Sequence, residues 1–288
     1  MLVTGAGGMV GREILGAARA LGWDAIGRTH AQLDVANRAA VRAAVEAAEP
    51  GVVLNAAAYT RVDGAEDEPD LAQRVNSQGP AWLAEACAWA GVPLIQISTD
   101  YVFDGRARRP YRPEDAPHPL GVYGRTKWEG EQAVRERLAR HLIVRTSWVY
   151  APQGHNFLCT IARLAEEQET LRVVADQRGC PTLAADLARA LVGAAQVVVE
   201  DASAWGTYHF CNAGETTWHG FASAIVAGLA SRRTLACRRV VPIAAADRPT
   251  RAARPLYSVL DTTSWTATFG FAPRPWQEAL ADALCQLN

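Results

Sequence analysis

Thr4-Gly5-Ala6-Gly7-Gly8-Met9-Val10-Gly11 follows a short apolar run, Leu2-Val3-Thr4, that reads as a strand. It opens a stretch from Met9 to Leu21 in which Val10, Ile14, Leu15 and Ala18 recur at helical spacing. Gly5, Gly8 and Gly11 place the pattern GxxGxxG on a strand–turn–helix junction. Gly5 permits the tight turn, Gly8 lets the backbone approach a pyrophosphate, and Gly11 lets helix and strand pack closely. Free N–H groups and the helix dipole then favour phosphate charge. No GxxxxGK[ST] occurs, which excludes a nucleoside-triphosphate loop.

Outward from this turn, short apolar runs alternate with helical patterns. Asp24-Ala25-Ile26-Gly27 is the next strand, and Asn37 caps a helix running to Ala48. Val52 to Asn55 is a strand. A helical region follows from Asp70 to Ala90, interrupted or restarted at Gly79-Pro80, then a strand from Pro93 to Ser98. Gly124 to Leu138 reads as a helix and Leu142 to Thr146 as a strand. Strands separated by helices predict a Rossmann-like α/β fold, a doubly wound parallel sheet binding ligands beyond the strands' carboxyl ends. The regularity breaks near residue 150. Residues 1–150 are therefore expected to form the dinucleotide-binding domain. Residues 151–288 are expected to form a smaller C-terminal substrate-binding lobe, with segments returning to the first. Its readable helices are Phe157 to Glu169, Ala185 to Val199 and Trp218 to Ala230.

The chain has 288 residues, with 49% hydrophobic and 20% charged, a globular balance. A net charge of −1 gives no global attraction to nucleic acid or to an anionic membrane. No apolar run reaches the roughly 20 residues of a membrane span. The first residues lack a signal-peptide pattern, so a cytoplasmic location is expected. Six scattered cysteines without a CxxC pair read as free thiols, and six histidines without HExxH disfavour a zinc hydrolase.

Tyr123-Gly124-Arg125-Thr126-Lys127 places a phenol and an ammonium one helical turn apart on one face. A phenol of pKa about 10 serves acid–base chemistry near neutrality when a nearby cation stabilises its anion. Lys127 supplies that cation and can donate to ribose hydroxyls. Thr99, in Ser98-Thr99-Asp100-Tyr101-Val102-Phe103, stands at the carboxyl end of the fourth strand, placed to hydrogen-bond a carbonyl or the phenol. The second strand ends at Arg28 with no carboxylate at its tip, where NAD-preferring sites hold one. Arg28 can instead meet a ribose 2′-phosphate, which predicts NADPH over NADH.

Together these segments resemble the extended short-chain dehydrogenase/reductases and, among them, the dTDP-4-dehydrorhamnose reductase family. The resemblance covers nearly the whole chain. It runs through Gly8-Met9-Val10-Gly11, Asn55 to Thr60, STDYVFDG at Ser98–Gly105, Val122 to Lys127 and RTSWVY at Arg145–Tyr150. It continues in Asn156-Phe157, Asp176-Gln177, Pro181-Thr182 and Thr216 to His219. It implies reduction of the C4 ketone of a dTDP-linked deoxysugar by NADPH, with NADH tolerated in the family. It places Gly8, Met9 and Val10 on the pyrophosphate, and Asp34 and Val35 near the adenine. Ala58, Tyr59 and Thr60 line the cofactor, and Ile97 lies near the nicotinamide. Thr99, Asp100 and Trp148 contact the deoxysugar, and Asn156 and Arg254 are carried over as substrate-binding. Tyr123 is the implied proton donor and Lys127 the ribose ligand.

Two departures stand out. Ala253 replaces an arginine that the family often has beside Arg254. Ala185 stands where some members place a glutamate that, with a partner such as Glu13, bridges a magnesium-linked dimer. Magnesium is therefore doubtful, and a monomer or homodimer is expected. Asp63 and Glu66 are read as solvated or helix-capping residues, not as a glycosidase pair. The basic run Arg106, Arg108, Arg109, Arg112 is read as a solvated loop. Competing readings are a reductase or epimerase acting on another nucleotide sugar, and a non-catalytic cofactor-binding regulatory subunit.

Overall fold

In the computed structural model, which describes residues 1–200 and 204–287, the apolar runs become strands and the amphipathic stretches helices. The first part contains β1 (Leu2–Thr4), α1 (Met9–Ala20), β2 (Ile26–Arg28), α2 (Arg38–Ala48) and β3 (Val53–Asn55). Two short helices, α3 (Val62–Asp67) and α4 (Pro69–Gln73), lead to α5 (Gly79–Ala90), β4 (Leu94–Thr99), α6 (Val122–Arg137) and β5 (His141–Thr146). Then come β6 (Val149–Tyr150), α7 (Phe157–Glu167), β7 (Thr170–Val174), β8 (Arg178–Gly179), β9 (Thr182–Leu183) and α8 (Ala184–Glu200). The remainder contains β10 (Gly206–His209), β11 (Thr216–Thr217), α9 (Trp218–Ala230), β12 (Arg239–Ile243), α10 (Thr263–Phe269) and α11 (Trp276–Gln286).

Six strands form one sheet in the order β10-β5-β4-β3-β1-β2, all parallel. Alternate residues feed its two faces, as the period of two requires. Val3, Leu54, Ile95, Leu142 and Val144 join a core with Ile14 of α1 and Leu187 and Leu191 of α8. Leu2, Val53, Leu94 and Ile143 join the opposite core, with Val41 of α2, Leu83 of α5 and Val134 of α6. Strand order reverses between β1 and β3, so the crevice beyond those strands' carboxyl ends is the topological switch point. Three elements after residue 150 complete this first layer: α8, β10, and α10 through Trp265 and Phe269. A second core, built on Leu158, Ile161, Phe221, Ile225, Trp276 and Leu280, holds α7, α9 and α11 together.

The strand predicted at Asp24–Gly27 begins later, at Ile26. The N–H of Trp23 is still bound to the Ala18 carbonyl of α1, and pairing with β1 starts at Leu2↔Ile26. The helical region after Asp70 is continued by a five-residue π turn at Arg74–Gln78, and Pro80 falls in the first turn of α5. Asn37 caps α2, its side chain accepting from the N–H of Ala40 at 3.1 Å. Among the described residues no helix is long and apolar enough to cross a membrane.

Candidate active site

The glycine turn is built as its spacing requires. Gly5 has φ +67°, and a Cβ there would lie 2.5 Å from the Ala57 nitrogen. A Cβ on Gly11 would lie 2.2 Å from the Gly5 carbonyl oxygen, so α1 can rest on the turn only with glycine at that position. Gly8 is the N-cap of α1, with no side-chain cap and no acidic residue in the first turn. This leaves an electropositive helix end open toward the crevice.

Two cavities meet over this turn, sharing Gly7, Gly8, Ala56, Ala57, Ala58 and Thr60. One, of about 740 Å³, is lined by Gly5, Thr29, His30, Asp34, Val35 and Tyr59. The other, of about 570 Å³, runs past Met9, Val10 and Ile97 to Thr99, Asp100, Tyr123, Lys127, Trp148 and Asn156. The continuous trough is long and has an anion-favouring turn at its middle. It suits a dinucleotide whose pyrophosphate crosses Gly8.

A row of buried side chains fixes the strand ends beneath the trough. Thr4 donates to Asn55 Oδ1 at 2.5 Å, and Asn55 donates to Gln96 Oε1 at 2.7 Å. On β4, Thr99 Oγ1 donates to Asp100 Oδ1 at 3.1 Å and accepts from the Tyr101 N–H at 3.2 Å. Tyr123 enters from the first turn of α6, the Tyr101 ring edge-on at 5.6 Å. Burial pushes its phenol up to about 12, while the Thr99 hydroxyl pulls the other way and Asp100 adds to the rise. The phenol is thus protonated at neutral pH. Lys127 is buried and its ammonium donates to the Ile97 carbonyl at 2.7 Å. Burial lowers it to about 8, with Glu131 opposing. Burial raises Asp100 to about 7, partly offset by the hydroxyls of Ser258 and Thr99.

Several functional supports escaped the sequence reading. Glu131, one turn beyond Lys127, is fully buried and binds Arg145 through both oxygens, at 2.9 and 2.8 Å. Ser98 donates to the same carboxylate at 2.5 Å. Burial would raise this carboxyl, but Arg145 and Arg135 hold it below its usual range. The pair locks α6 onto β4 and β5 and so sets the height of Tyr123 and Lys127. The i,i+4 spacing of Lys127 and Glu131 was the available signal; the Arg145 partner lies on another element.

Other residues fall elsewhere than expected. Asp63 is half-exposed but also paired: it binds Arg254 at 3.1 and 2.7 Å and accepts from the Ala252 N–H at 3.1 Å. Arg254 lines a third cavity of about 580 Å³, with Arg248, Thr250, Ala253 and Trp218, and not the cavity of Tyr123. Glu66 does cap a helix, though not its own, accepting from the Val122 N–H of α6 at 2.8 Å. Asn156 lines the Tyr123 cavity, but its amide is engaged as the cap of α7 and by the Ala151 and Gln153 carbonyls. Arg28 ends β2 beside the cofactor trough, whose wall there is Thr29 and His30. In the basic loop, Arg109 pairs with Asp115 through both guanidinium nitrogens, at 2.8 and 2.7 Å. Ala185 packs on the second core. Among the described residues no three His, Cys, Asp or Glu side chains gather as a metal site.

The chain matches the family described as RmlD substrate binding domain over residues 1–288. It is 44% identical over 291 residues to a dTDP-4-dehydrorhamnose reductase of Streptomyces griseus, covering 99% of this chain and 93% of that one. Among solved structures, a dTDP-4-dehydrorhamnose reductase from Clostridium acetobutylicum superposes with a TM-score of 0.92 at 37% identity, over 99% of this chain and 98% of that one. The Bacillus anthracis enzyme of the same name, in complex with NADP, gives 0.91 at 35% identity with the same coverage. Likeness in sequence and in fold therefore extends over essentially the whole chain, and the chain belongs to the dTDP-4-dehydrorhamnose reductase family.

Proposed function

We propose that this protein uses NADPH to reduce the C4 ketone of dTDP-4-dehydro-β-L-rhamnose, giving dTDP-L-rhamnose. The observation that carries this reading is the convergence of Tyr123, Thr99 and Lys127 on one cavity that opens onto the glycine turn. The family relationship specifies the ketone and the cofactor. Gly8, Met9 and Val10 would hold the pyrophosphate, Asp34 and Val35 the adenine side, and Ala58 to Thr60 and Ile97 the remainder. When bound, NADPH supplies the hydride.

The protein's own groups do the rest. Tyr123 gives its proton to the ketone oxygen as negative charge develops there, and the Thr99 hydroxyl supports that oxygen. Lys127 spends one of its three donors on Ile97 and has two left for ribose hydroxyls. The phenolate left on Tyr123 regains a proton from solvent. Trp148 and Asp100 border the deoxysugar. No protein nucleophile is used.

NADPH oxidation measured across a panel of 4-keto nucleotide sugars tests this. The expected result is fastest turnover with dTDP-4-dehydro-β-L-rhamnose and formation of dTDP-L-rhamnose. Fastest turnover with another sugar or base would refute the substrate, and no oxidation with any would refute the reaction class.

A further inference from the structure

Trp148 and Glu49 are the two non-glycine residues with positive φ among those described, Trp148 at +49°. A bulky residue keeps that backbone only where its surroundings hold it. Here they do so on both sides. One face of the indole lies flat on Trp218, with ring centroids 3.6 Å apart and planes within 7°. Against its other face is Gly179 of β8, where a Cβ would sit 2.5 Å from Trp148 Cε2 and 2.7 Å from both Cζ2 and Nε1. The Trp148 carbonyl accepts from the Thr182 N–H at 3.2 Å. Trp218 is itself fixed as the first residue of α9, whose cap Thr217 accepts from the Gly220 N–H at 3.0 Å. Phe157 supports Trp218 at 4.5 Å.

The stacked pair also has two different outlooks. Trp148 lines the cavity of Thr99, Asp100 and Tyr123, and Trp218 lines the neighbouring cavity of Arg248 and Arg254. The two indoles are one partition between the cavities.

We propose that Trp218 is a positioning residue for the sugar: it holds Trp148 in its left-handed seat against the reacting end of the substrate, and Gly179 supplies the room. The identity of the sugar rests on the reductase reading above. The position of Trp148 does not.

The test uses the holoenzyme with Trp148→Ala, Trp218→Ala, Trp218→Phe and the Trp148→Ala/Trp218→Ala double variant. Trp218→Ala is expected to raise KM for the nucleotide sugar about ten-fold, the scale of one lost aromatic pair, with kcat and NADPH affinity little changed. Trp218→Phe restores most of the loss. In the Trp148→Ala background, Trp218→Ala adds nothing, because it acts through a residue already gone. The exciton couplet of the two stacked indoles in circular dichroism is lost equally in both single variants. Additive losses in the double variant, NADPH affinity falling in step with KM, or a couplet surviving Trp218→Ala would each overturn the proposal. If the wild type reduces no 4-keto sugar, the reductase reading fails. The same variants are then compared by calorimetry for affinity to dTDP-L-rhamnose, where equal affinity of Trp218→Ala and wild type overturns the positioning role.

Discussion

Asp100 is 2% exposed, and its Oδ2 has no hydrogen-bond partner among the described residues. Burial therefore raises its carboxyl to about 7, against about 3.9 in an unfolded chain. A raised acid stabilises the fold fully below its unfolded value, and that contribution is lost as pH rises through the folded one. Asp100→Asn removes the ionisation. The variant should thus gain thermal stability over wild type between about pH 4 and pH 8, and a pH-independent difference would contradict this. Arg28 carries a second prediction: kcat/KM favours NADPH, and Arg28→Asp reverses the preference. Equal values for the two cofactors in the wild type would show that Arg28 does not read the 2′-phosphate. At this scale the sequence made Tyr123, Lys127 and Thr99 legible, because helical spacing and a strand end are local signals. The pairing of Arg254 with Asp63 was not, because the two lie 191 residues apart and nothing local announces it.

Helix α6 carries both Tyr123 and Lys127, so what seats that helix seats the chemistry. Its N-terminus is closed by Glu66 from α3, and its middle is held by the Glu131–Arg145 pair, 0% and 1% exposed. Removing one partner of a buried ion pair leaves the other charge stranded. Arg145→Ala should cost about 3–5 kcal/mol in denaturant unfolding. A loss within the range of an exposed pair, about 1 kcal/mol or less, would show that the network does not seat α6. The alternation of apolar runs made the sheet legible, since Leu2/Val3, Val53/Leu54 and Leu94/Ile95 divide cleanly between its faces. The π turn at Arg74–Gln78 was not. Asn76 uses that distortion to bind both the N–H and the carbonyl of Tyr59, at 2.8 and 3.0 Å, and no periodicity encodes such a long-range tie.

At the scale of the whole molecule, the chain is threaded back and forth between a sheet layer and a second core. Helix α8 and strand β10 return to the sheet after the region of β6 to β9 has left it. Helix α10 joins them through Trp265 and Phe269, so we propose residues 1–150 as the cofactor domain only together with these three elements. The Asp63–Arg254 contact and the Trp148–Trp218 stack then join walls from distant parts of the chain around adjoining cavities. Nicotinamide at one end and a nucleotide sugar at the other would meet at Tyr123. The measurement that tests this most directly is the rate of Tyr123→Phe with saturating NADPH and dTDP-4-dehydro-β-L-rhamnose, alongside its NADPH dissociation constant. The substitution keeps the ring packed against Tyr101 and deletes the donated proton. A rate loss of at least about 10²-fold with unchanged NADPH affinity is the expected result; turnover near that of the wild type would contradict the assignment of Tyr123 as the proton donor.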